Sequence, residues 1–141
     1  MNLLGLQKRR KAGRGRMNRS EIILLVEDDK AVRDITSMFL SSLGYKVIAQ
    51  ESPEAALAAV ERDGGDQIDL LITDVIMPGM SGRDLSVRMA QKIPGLRCIF
   101  MSGYTADIIT DKGVLADSVA FLEKPFSRGE LARKVREVLD A

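Results

Sequence analysis

The sequence contains no histidine and no tryptophan, and it has only one cysteine, four phenylalanines and two tyrosines. The lack of histidine excludes covalent chemistry at an imidazole. A single thiol cannot close a disulfide within the chain, which suits a reducing compartment. That thiol, Cys98, lies in the apolar run Leu96-Arg97-Cys98-Ile99-Phe100-Met101 and reads as a buried, inert side chain. No apolar run approaches the ~18–20 residues that cross a bilayer. The short patch Leu3-Leu4-Gly5-Leu6 is followed by charge, whereas a secretory signal places its charge first. A cytoplasmic protein is expected.

Acid is also missing from one part of the chain. Residues 1–20 carry Lys8, Arg9, Arg10, Lys11, Arg14, Arg16 and Arg19 and no carboxylate, so the overall net charge of +1 conceals a basic leader and an acidic body. From Glu21 onward 14 basic residues face 20 acidic ones, a net of −6. The leader, basic and poor in apolar residues, is expected to be disordered. It reads as a linker remnant or as sequence ahead of a start at Met17; the other reading is a strip that touches nucleic acid or an anionic membrane. The remainder, residues 21–141, fits one domain of the usual ~100–150 residues. Its core can be buried without staples.

What is present from Glu21 onward is an alternation of short apolar runs and amphipathic stretches. Ile22-Ile23-Leu24-Leu25-Val26 is apolar throughout, as in a strand covered on both faces. Residues 30–43 have helical spacing, with Val32, Ile35, Phe39, Leu40 and Leu43 on one face and Gly44 as the stop. Residues 46–49 form a second strand. Ser52 and Pro53 open a helix as N-cap and first residue, and it closes at Asp63-Gly64-Gly65. The pattern then repeats: strand 69–73, helix 82–92, a Pro94-Gly95 turn, strand 96–101, a shorter helix within 105–116, strand 118–122, and helix 127–139 with Leu131, Val135, Val138 and Leu139 inward. Five strand–helix units predict an α/β fold, a doubly wound parallel sheet. Chemistry in such sheets sits outside the carboxyl ends of the strands.

Those ends hold Glu27-Asp28-Asp29, Asp74, Ser102 and Lys124-Pro125. Three or more carboxylates within reach of one another repel and raise one another's pKa values. A divalent cation and a nearby ammonium relieve this; oxygen-only ligands suit Mg²⁺, and Lys124 supplies the ammonium. An aspartate so held can act as nucleophile toward phosphorus, and phosphoryl transfer asks for little beyond alignment and charge neutralisation. Ser102 can donate to a phosphoryl oxygen. Asp29 reads as the N-cap of the helix that follows, and Met77 and Met80 as loop packing.

In order, Leu24-Leu25-Val26-Glu27-Asp28-Asp29, Leu71-Ile72-Thr73-Asp74-Val75-Ile76-Met77-Pro78-Gly79-Met80-Ser81-Gly82, Met101-Ser102-Gly103-Tyr104 and Phe121-Leu122-Glu123-Lys124-Pro125-Phe126 resemble the receiver domains of two-component signalling. The likeness covers residues 21–141, and the last helix together with Met-Ser-Gly-Tyr is most similar to receivers at the C-terminus of hybrid sensor histidine kinases. The resemblance implies a flavodoxin-like sheet of five strands in the order 2-1-3-4-5 with five helices. It makes Asp74 the phosphoacceptor, Asp28 a direct Mg²⁺ ligand, Glu27 a ligand through water and the Ile76 backbone carbonyl part of the metal site. Lys124 becomes the phosphate clamp and Ser102 the switch hydroxyl. Phe121 becomes the rotating aromatic, although it also suits a plain core position. The Lys124–Pro125 bond is implied to be cis.

The implied partners are a histidine kinase or histidine phosphotransfer protein as donor, since the chain has no histidine of its own. A downstream protein would be met through the helix within 105–116, the fifth strand and the last helix. No DNA-binding domain is expected, and a homodimer is compatible with the family. A stand-alone regulator and a receiver excised from a hybrid kinase read alike. Two rivals differ in kind. An aspartate-nucleophile Mg²⁺ phosphohydrolase usually has a second Asp two residues after the nucleophile, where Ile76 stands. An unphosphorylated interaction module would have no use for the complete acceptor set.

Ile76 and Tyr104 flank the acceptor with apolar and aromatic bulk where polar groups would help water attack. Slow loss of phosphate is therefore expected. A phosphate half-life of many minutes is the predicted outcome, half-lives of seconds would contradict it, and Ile76→Asn should shorten the lifetime.

Overall fold

Apolar runs without a polar alternate face are stable only between two layers, and the chain buries its runs in that way. The computed structural model describes residues 20–65, 67–103 and 120–141. In it β1 (Ile22–Val26), β2 (Lys46–Gln50), β3 (Ile68–Asp74), β4 (Arg97–Ser102) and β5 (Ala120–Glu123) form one sheet in the order β2-β1-β3-β4-β5. Every adjacent pair is parallel. The described helices are α1 (Lys30–Ser42), α2 (Pro53–Asp63), α3 (Gly82–Lys92) and α4 (Arg128–Asp140).

Strand position explains strand composition. The interior strand β1 is buried throughout, and β3 and β4 nearly so. The outer strands β2 and β5 are largely half-buried or exposed and hold Lys46, Gln50 and Glu123. The pleat sends alternate residues to opposite layers. Ile22, Leu24 and Val26 join Ala56, Val60, Leu85 and Met89 on the α2/α3 side. Ile23 and Leu25 join Leu40, Leu131 and Val135 on the α1/α4 side. Among the described residues no helix is long and apolar enough to cross a membrane.

Helix signals read from the sequence recur here. Asp29 caps α1, accepting from the amides of Ala31 and Val32 at 2.9 and 3.2 Å. Ser52 caps α2, which ends at Gly64 in the left-handed region, φ 87°. Ser127 is the N-cap of α4 rather than its first residue, and it exchanges hydrogen bonds with Glu130 in a capping box. β3 and β4 run one residue further than expected, so Asp74 and Ser102 end their strands. β5 begins, within the described residues, at Ala120. The expected basic leader, Tyr104 and the helix within 105–116 lie outside the described residues.

One inward residue differs from expectation. Ile35 is 46% exposed, while Thr36 is fully buried. The buried stripe of α1 runs at i, i+4 through Thr36 and Leu40, which turns Ile35 toward solvent.

At the start of α3, Gly82 presses on the end of β3. A Cβ on Gly82 would lie 1.9 Å from the carbonyl oxygen of Asp74. Gly129, in the first turn of α4, has nothing nearer than 3.9 Å. Two Gly→Ala changes should therefore differ clearly in urea unfolding. Gly82→Ala is predicted to cost at least ~2 kcal/mol through overpacking. Gly129→Ala should be neutral or gain up to about 1 kcal/mol from backbone entropy. Equal effects would show that the contact at Gly82 relaxes freely.

Candidate functional site

The carboxyl ends of β1, β3, β4 and β5 converge because parallel strands all end on one edge. Backbone hydrogen bonds set their levels. The Glu27 amide donates to the Gln50 carbonyl at 3.1 Å, Val75 to Met101 at 3.0 Å, and Lys124 to Ser102 at 2.8 Å. Glu27, Asp28, Asp74, Ser102 and Lys124 end or follow their strands at this edge, whereas Phe121 lies within β5. Ile76 follows Asp74 by two residues with its side chain 61% exposed.

One oxygen from each of Glu27, Asp28 and Asp74 lies within 4.8 Å of the others. Glu27 and Asp74 are buried, and Asp28 is exposed. The Lys124 ammonium sits between the buried pair, 2.9 Å from Glu27 Oε1 and 3.2 Å from Asp74 Oδ1. The Lys124–Pro125 bond is cis. The second oxygen of Glu27 accepts from the Asp29 amide at 3.0 Å. Glu27 is thus a direct partner of Lys124.

The charges do not balance: three carboxylates meet one ammonium. Burial, reinforced by the charge of Glu27 and less by Asp28, pushes the Asp74 carboxyl up to about 6 against the pull of Lys124. For Lys124, burial works to lower the pKa, but the hydrogen bond to Glu27 and the charges of Asp74 and Glu27 prevail and raise it. The ammonium therefore stays charged at neutral pH, and the surplus negative charge lies on the acidic trio. A set of hard carboxylate oxygens at this spacing, short of positive charge, fits a hard divalent cation.

Ser102 is buried at the end of β4, one residue beyond Met101, the register partner of Asp74. Phe121 is half-buried on β5 opposite Phe100 and packs with Val75, next to Cys98. Burial pushes the Cys98 thiol well up, in keeping with an inert side chain. Met77 is buried and Met80 packs on the same core, as loop packing requires.

Two contributors escaped sequence reading. Gly82 is the close approach behind Asp74, signalled only by a glycine where a helix begins. Arg33, in the first turn of α1, donates from its guanidinium to the Glu27 carbonyl at 2.8 Å. No motif marks such a bond to a backbone atom.

Comparison with known proteins gives a consistent picture. The family model for the response regulator receiver domain matches residues 23–136. The chain is 39% identical over 122 residues to the sensor kinase CckA of Brucella abortus (strain 2308), covering 86% of this chain and 13% of that protein. It is 30% identical over 119 residues to the response regulator receiver protein CpdR of the same organism, covering 84% of this chain and 97% of that one. Among solved structures, the receiver domain of the hybrid histidine kinase CckA matches with TM-score 0.69 at 37% identity, covering 84% of this chain and 98% of that one. The Vibrio cholerae chemotaxis protein CheY4 matches with TM-score 0.72 at 25% identity, covering 85% and 99%. The chain spans less than half the length of the sensor kinase and of the transcriptional regulators that it also matches. With an acidic hollow and a lysine at the carboxyl edge of a 2-1-3-4-5 sheet, and with the family model spanning most of its length, this chain belongs to the response regulator receiver domain family.

Proposed function

We propose that this receiver domain takes a phosphoryl group onto the Asp74 carboxylate and signals through the resulting change at its surface. The observation that carries the reading is the position of Lys124, held against Glu27 and Asp74 at the rim of the three-carboxylate hollow. An Asp74 oxygen attacks phosphorus, and the bond from phosphorus to the donor breaks with its electrons leaving on the donor. The Lys124 ammonium lies where charge gathers on the phosphoryl oxygens, and the Ser102 hydroxyl is the donor for one of them. Mg²⁺ is the proposed ion, held by Asp28, Asp74 and the Ile76 carbonyl, with Glu27 acting through water; when bound it would neutralise phosphoryl charge.

The proposed donor is a histidine kinase or a histidine phosphotransfer protein in the cytoplasm. The readout is proposed to pass from Ser102 to Phe121 as a shift between two existing states, toward a partner bound by residues 105–116, β5 and α4. Residues 1–20 are proposed to act as a leader or linker. Whether the receiver works alone or within a hybrid kinase does not alter this chemistry.

The most direct check is intact mass after acetyl phosphate and Mg²⁺. Wild type should gain the mass of one phosphoryl group and Asp74→Asn none. A gain in Asp74→Asn, or none in wild type, refutes the assignment.

Protons and metal compete for Asp74. Its carboxyl titrates near 6 in the metal-free fold against 3.8 as the ordinary value, so the native state holds the proton more tightly than the unfolded chain. The stability this group contributes is fully present below about pH 4 and lost as pH rises through about 6, leaving a penalty of ~2–3 kcal/mol at neutral pH. Metal-free Asp74→Asn should therefore be more stable than wild type at pH 8, by about 1–2 kcal/mol once the weakened hold on Lys124 is allowed for. The gap should shrink toward pH 4 and on addition of Mg²⁺. Urea unfolding at the two pH values checks this; a variant no more stable at pH 8 contradicts it.

A further inference from the structure

We infer that Arg33 is a positioning residue for the divalent-cation site, acting through the backbone of Glu27; the inference rests on the reading of Glu27, Asp28 and Asp74 as that site. The Glu27 carbonyl and the Asp28 amide belong to one planar peptide unit. Holding the carbonyl therefore limits where the Asp28 side chain can start from. The guanidinium of Arg33 holds it at 2.8 Å.

Every other polar atom of Glu27 is also engaged. Its amide donates to the Gln50 carbonyl at 3.1 Å, Oε1 accepts from Lys124 at 2.9 Å, and Oε2 accepts from the Asp29 amide at 3.0 Å. Three of these four restraints come from the strand next door, the site lysine and Asp29 two residues on. The fourth comes from a helix, and it grips the peptide that leads to Asp28. That peptide needs a grip because Asp28 is exposed and faces two buried carboxylates that repel it. Without the grip, repulsion would drive Asp28 outward in the metal-free state, and a cation would have to recover it on binding.

Arg33 itself is well anchored. It lies in the first turn of a helix capped by Asp29, and its own amide donates to the Asp29 carbonyl at 2.9 Å. Its half-buried side chain turns back over the loop it follows. A planar fork fixed on a carbonyl is held more stiffly than a lysine ammonium would be. Position and charge predict opposite signs: if Arg33 orients Asp28, its loss weakens cation binding; if its charge repels the cation, its loss tightens binding.

The test is Mg²⁺ titration by calorimetry of the metal-free full chain, at a temperature well below unfolding, for wild type, Arg33→Met and Arg33→Lys. Arg33→Met keeps the aliphatic stem and removes the donor. Loss of outer partners of a metal site typically costs ~10–100-fold in affinity, and a hold exerted through backbone is expected to cost about threefold or more. Arg33→Lys should recover part of the loss. Thermal unfolding of the same metal-free proteins separates the roles, since a merely structural residue would lower the melting midpoint without weakening Mg²⁺ binding by the folded protein. A dissociation constant for Arg33→Met less than threefold above wild type, or below it, overturns the inference while leaving the site intact. Absence of Mg²⁺ binding by wild type overturns both the inference and the site on which it rests.

Discussion

The rest of the structure depends on the confinement of three carboxylates with one ammonium at the carboxyl edge of the sheet. Glu27, Asp28 and Asp74 approach closely enough for one cation to bridge them, and Lys124 offsets only part of their charge. Burial, reinforced by the neighbouring charge of Glu27, raises the Asp74 carboxyl in the metal-free protein. The excess of negative charge makes the hollow receptive to a hard cation and, with the lysine, to an incoming phosphoryl group.

The fold supplies the rigidity that this confinement requires. Asp74 ends the central strand β3, which β1 and β4 flank, and it pairs with Met101 of β4. Gly82 closes behind it, and Thr73, fully buried, donates to the Asp74 carbonyl at 3.0 Å. Glu27 is bound at each polar atom. Asp28 is the exposed member, reachable by an ion from solvent.

Much of this was legible in the residues. Runs such as Ile22–Val26 have no polar face and therefore belong inside a parallel sheet, and the N-caps Asp29 and Ser52 fall where the helices start. The ordering of acids, serine and lysine at strand ends pointed to one edge because parallel topology leaves no other arrangement. What was not legible depends on three-dimensional neighbours. Ile35 reads as core by hydrophobicity, yet the i, i+4 stripe through Thr36 and Leu40 wins because the packing direction of α1 is set by the sheet. The Glu27–Lys124 pair joins residues 97 positions apart, and the Arg33 bond ends on a backbone oxygen that any residue could offer. Phe121 sits half-buried against Val75 and Phe100, a place consistent with either of the roles read from sequence.

Chemical trapping of the acceptor tests the central claim most directly. After incubation with acetyl phosphate and Mg²⁺, borohydride reduces an aspartyl phosphate to homoserine, which peptide mass mapping locates. Conversion confined to position 74 and dependent on the divalent cation is the predicted result. Conversion at position 28, or equal conversion at 74 with all divalent cations removed, would contradict the account.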